Sequence, residues 1–190
     1  MSEQGEWRLT AIDARELLIT KLEHVARGLR LDRMISFGGS THPFAEYFKG
    51  FENVEAVRRI FGQKTEEVLA KLRVEFTWVR SYMWVSGADG HLTISSYYLN
   101  HGDRVDVYLD LIHELVHVRQ FMEGKELFDS NYNYIDRPTE LEAYRYAVEE
   151  ARNLGLSDER ICTYLKTEWM SDEDMQRLAR TLGVEYVRAH

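Results

Sequence analysis

The chain has 190 residues, a net charge of −8, 44% hydrophobic and 29% charged residues. That length allows one well-filled core and argues against two full domains, and the composition is that of a folded globular protein. The acidic balance argues against nucleic-acid binding, because such a surface repels phosphate backbones. No stretch reaches the length of a membrane span, and residues 1–9 lack the basic start and apolar run of a secretory leader, so a cytoplasmic protein with no membrane partner is expected. The single cysteine, Cys162, excludes an internal disulfide and a paired-cysteine zinc site, and reads as a packed helix residue.

The spacing of Leu17, Leu18, Leu22 and Val25 predicts an amphipathic helix over residues 10–29, opened by Thr10 and Asp13 as a capping box. Residues 30–43 read as loop, with Gly38, Gly39 and Ser40 marking a turn. Residues 51–71 read as two short helices broken near Gly62. This helical part, 1–73, precedes a stretch of different character, 74–154. Residues 74–86 and 91–99 are β-branched and aromatic, and 87–90 is a turn, so together they predict a β-hairpin. Its aromatics Trp78, Tyr82, Trp84, Tyr97 and Tyr98 are expected in the core and on the sheet face rather than in an apolar substrate groove.

Residues 104–111 fit either a helix or a strand, and 111–122 fit a helix. A second helix is expected over 138–154, with Pro138 in its first turn and Gly155 after its end. Two more close the chain in the part 155–190, over 157–169 and 171–182, each opened by a serine in N-cap position. The expected fold is α+β: a helix-rich single domain spanning 1–190, with a small hairpin packed on the helix of 111–122.

That helix carries the chemistry. Residues 113–117 read His-Glu-Leu-Val-His. Residues four apart share a helix face, so His113 and His117 can grip one ion while Glu114 projects beside it. The helix is apolar nearly all round and therefore buried. Buried imidazoles and a buried carboxylate are costly unless something compensates them, and a divalent metal compensates all three. The competing reading is a pair of core histidines bonded to their neighbours.

Zinc on two histidines needs a third protein ligand and an open position. After His117 the only histidine is His190, and Gln120 and Glu123 break the pattern HExxHxxGxxH. Upstream, His101 stays open as a ligand. An acidic ligand fits better. Glu140 shares a helical face with Ala143, Tyr144, Ala147, Val148 and Ala151, which suits close packing. Glu142 shares one with Arg145, Glu149 and Arg152, which suits solvent and ion pairs.

His-Glu-x-x-His followed by Glu-Leu-Glu-Ala on a second helix resembles the gluzincin branch of the zincin metallopeptidases, over roughly residues 74–154. The resemblance implies a zincin-like fold, Zn2+ on His113, His117 and Glu140, Glu114 as catalytic base, and a peptide or protein substrate. Where such families carry Asp or Asn four residues after the glutamate ligand, to orient a zinc-bound histidine, this chain has Tyr144.

The expected function is therefore a zinc-dependent metallohydrolase, specifically a peptidase, in which Glu114 takes the proton of the attacking water. Strand 91–98 is expected to offer its edge to an extended peptide, by family analogy. For the oxyanion, Tyr132, Tyr134, Arg137 and His101 all stay open. Rival functions are an ImmA/IrrE-type regulatory protease with one protein substrate, and a non-catalytic module that binds metal or a partner. Oligomeric state is not encoded in any of these features.

Overall fold

The computed structural model describes residues 40–186, so the helix expected over 10–29 and most of the loop over 30–43 lie outside the described residues. Strand β1 (His42–Pro43) leads into a single turn of helix, α1 (Phe44–Tyr47), and then a 3-10 turn at Phe51–Asn53. Helices α2 (Glu55–Phe61) and α3 (Thr65–Lys71) follow. The break between them falls where expected: Gly62 adopts φ +59, which side chains disfavour, and opens a 3-10 turn.

Strands β2 (Arg73–Thr77), β3 (Met83–Val85) and β4 (Leu92–Ser95) complete a four-stranded sheet of order β1-β2-β4-β3. β3 is antiparallel to β4, β2 is parallel to β4 on its other side, and β1 is antiparallel to β2. The expected hairpin over 74–99 is thus β3–β4 alone. Its first half does not run straight through, because inward alternation stops after Phe76, and Trp78 and Val79 are exposed. Its second half stops at Ser95. The Ser95 side chain accepts a hydrogen bond from the Tyr98 N–H and caps helix α4 (Ser96–His101), so a local cap overrides aromatic strand propensity. β4 also cannot offer an edge to a peptide as expected, since strands pair on both its sides. The sheet's edges are β1 and, in the hairpin, β3.

Helix α5 (Arg104–Met122) is the centre of the core. Asp103 accepts from the Val105 and Asp106 N–H groups and starts the helix, which settles 104–111 as helix. Leu109, Leu111, Ile112, Leu115 and Val116 are all fully buried. The β3–β4 turn closes onto this helix at Gly90. A Cβ there would lie 2.4 Å from the Phe121 ring, and φ is +75, so approach and conformation both demand glycine.

Helix α6 (Pro138–Asn153) packs along α5. Its contact stripe is Ala143, Ala147 and Ala151, all with no exposure, and Tyr108 on α5 donates to Glu150 at 2.7 Å. Helices α7 (Asp158–Leu165) and α8 (Asp172–Leu182) follow, capped by Ser157 and Ser171 as expected, although α7 ends short of residue 169. Cys162 is buried in α7, and its thiol donates to the Glu185 carbonyl. The fold is α+β and helix-rich around one small sheet. Among the described residues, no helix is long and apolar enough to cross a membrane.

Candidate metal centre

His113 and His117 lie one turn apart on α5, and their Nε2 atoms are 3.0 Å from each other. Glu140 enters from the first turn of α6, where the helix N-terminus favours a carboxylate. Its Oε2 lies 3.3 Å from His113 Nε2 and 3.4 Å from His117 Nε2. Neither contact has hydrogen-bond geometry, and Oε2 is left without a partner. Its Oε1 faces Arg137 Nη1 at 3.6 Å. All three side chains are at least nine-tenths buried.

A donor set can be tested by its edges. Ligand atoms held at zinc distance in tetrahedral geometry stand about 3.3 Å from one another. The three edges here, 3.0, 3.3 and 3.4 Å, match that figure. Three such atoms crowded in a dry site need a proton or a metal cation among them. His113, Glu114 and His117 could likewise hold an ion, since their ligating atoms lie within 4.8 Å of one another. Glu140 touches both imidazoles directly, whereas Glu114 stands beside them and is met by the Val85 N–H.

The surroundings set the charge states. Burial pushes the Glu114 carboxyl up to about 8, and its Oε2 has no partner. Burial lowers His113. Burial also opposes the His117 imidazolium, but Glu140, Glu114 and Gln120 raise it to about 9. Burial likewise disfavours the Glu140 carboxylate, yet the two imidazoles hold its carboxyl well below the usual range. A divalent cation among these groups would favour neutral imidazoles and ionised carboxylates instead.

His117 Nδ1 bonds the Gln120 side-chain oxygen at 2.7 Å. The Gln120 amide in turn donates to the Thr139 carbonyl and to Glu142. Gln120 is fully buried, so this chain fixes one histidine and ties α5 to the start of α6. The sequence reading passed over this role. The available signal was a polar residue three positions after His117 on an otherwise apolar helix. Tyr144 does not orient His113. Its ring packs edge-on against that imidazole at 4.5 Å, its hydroxyl meets Tyr134 at 3.1 Å, and His113 Nδ1 has no partner.

The face argument for α6 holds for its buried side: Glu140, Ala143, Tyr144, Ala147, Val148 and Ala151 are all buried. Glu142 is on the other side and half-buried, but its partners are Arg119 and Lys125 from outside its helix rather than Arg145.

The centre opens on a cleft lined by Met83, Trp84, Val85, Leu127, Phe128 and Tyr134. Tyr82 and Ser86 turn main-chain groups toward β4, through Ser95 N–H and His91 C=O. By alternation Met83 and Val85 face away from β4, toward the open edge beside the centre. Of the residues open for the oxyanion, Tyr134 and Arg137 line this cleft. Tyr132 is exposed, and His101 is exposed and stacked on Tyr97, so neither joins the centre. The aromatics expected in the core are largely not there: Trp78, Tyr82 and Tyr97 are exposed, and Trp84 is half-buried at the cleft. Compared with protein-family models, curated protein sequences and solved structures, the chain matches none.

Proposed function

We propose that the chain is a zinc-dependent hydrolase of zincin type that cleaves peptide bonds. The observation that carries this reading is the triangle of His113 Nε2, His117 Nε2 and Glu140 Oε2, with Glu114 Oε2 unpaired at its side. Those three residues would hold the zinc ion, which when bound supplies Lewis acidity toward a water and a carbonyl. Glu114 takes a proton from the attacking water and passes it to the leaving amine. The Val85 N–H keeps the Glu114 carboxylate aimed across the cleft. Tyr134 stands on the cleft wall, where its hydroxyl can donate to the developing oxyanion.

A peptide is the substrate that suits the open edge of β3. Extended chains add to such edges through main-chain hydrogen bonds, and this edge runs beside Glu114. The test is hydrolysis of a mixed peptide library by zinc-loaded protein. Glu114→Gln should keep the metal and lower cleavage by about 100-fold or more. Cleavage that survives this substitution would contradict the assigned base.

A further inference from the structure

Past the metal centre, toward the N-terminal end of α5, lies a second cavity of about 320 Å³. His113, Glu114 and Tyr134 line both this cavity and the cleft, so the two adjoin at the centre. Its walls are aromatic pairs. Tyr82 and Tyr98 meet edge-on at 5.0 Å, and Tyr134 and Trp169 meet edge-on at 5.0 Å. Asp110 lies on α5 one turn before Glu114 and faces this space.

Asp110 has no basic partner among the described residues. Tyr98 donates to it at 2.6 Å, and the Tyr164 hydroxyl is its second neutral partner. The other charges nearby are already matched: Asp106 pairs with Arg160 at 2.5 Å, and Lys166 pairs with Asp172 at 3.3 Å. The cavity also holds buried polar atoms with no partner, on Thr167 and Glu114, of which Glu114 is 7% exposed. Burial pushes the Asp110 carboxyl up to about 7, so its ionised form is costly in this setting. A carboxyl held only by tyrosine hydroxyls, ringed by aromatic faces and without a positive partner, has a place for a cation.

We propose that this cavity receives the lysine or arginine side chain of a substrate residue beside the bond that is cut, with Asp110 as its counter-charge. The proposal rests on the peptidase reading. The ring faces attract an ammonium or guanidinium, the Tyr164 and Thr167 oxygens accept its hydrogen bonds, and Asp110 neutralises it. A free N-terminal amine shares that chemistry, and the probes must separate the two.

Binding to the full zinc-loaded chain is measured by NMR with N-acetyl-lysine amide, N-acetyl-arginine amide and N-acetyl-norleucine amide. Norleucine amide with a free amine is the fourth probe. The basic acetylated probes should bind about ten-fold or more tighter than acetyl-norleucine amide, and Asp110→Asn should remove that difference. Equal binding of charged and neutral probes, or binding of none, overturns the proposal. So does binding of the free-amine probe alone, which would assign the cavity to a chain end. The wild-type comparison decides the matter even if the variant fails to fold. Binding needs no turnover, so cation selectivity without cleavage would sink only the peptidase reading. Cleavage without a basic preference would sink only this one.

Discussion

His117 and His113 are held by different means, and the difference predicts different sensitivities. His117 is oriented by Gln120, which is itself anchored to Thr139 and Glu142. Partners of this kind typically contribute 10–100-fold to metal affinity. Gln120→Ala should therefore weaken zinc binding by about that factor in chelator competition, with the helix intact. Asp110 predicts a pH signature. Its carboxyl is raised to about 7, so the folded state binds its proton more tightly than the unfolded chain. Stability is lost as pH rises from the ordinary carboxylate value, about 3.9, through 7, by at most about 4 kcal/mol. Asp110→Asn avoids that cost and can still accept from Tyr98. Its melting temperature should exceed the wild type's at pH 8 and coincide with it at pH 4. A variant less stable at pH 8 would make Asp110 a structural residue.

At the scale of elements, the site depends on three pieces held in register: α5, the first turn of α6, and the edge of β3. Leu115 lies on the side of α5 opposite the two histidines and is fully buried. Leu115→Ala should cost about 2–5 kcal/mol, read from the denaturant midpoint. A loss under 1 kcal/mol would mean that the core around α5 collapses easily. Helix α6 was legible because it is periodic and carries plain end signals, Pro138 at its start and Gly155 past its end, whereas only the second half of α5 was, since 104–111 also alternate as a strand would. The sheet was less so. Alternation marks a strand but not its neighbour, so β2 running parallel to β4 left no trace in the sequence. Helix α4 was hidden because Tyr97 and Tyr98 favour strands, while the deciding contact is a single serine cap.

For the whole molecule, one feature of the sequence outweighs the rest: two histidines and a glutamate on one face of an apolar helix, with one inward glutamate on the next. Helical spacing within α5 made the pairing of His113 and His117 legible, and the inward face of the next helix together with the resemblance singled out Glu140. Gln120, Asp110 and the β3 edge were not legible as site residues. Each depends on which elements pack together, and periodicity within one element does not carry that. The acidic charge of the chain is also in keeping with a cleft whose unmatched charge is negative.

The most direct test of the account is bound metal per chain, measured by elemental analysis on protein purified without chelators or a histidine tag. The account predicts about one zinc per wild-type chain, lost in both His117→Ala and Glu140→Gln. A folded wild-type protein that carries no metal and takes up none from added zinc would contradict it, and the histidines would then be core residues.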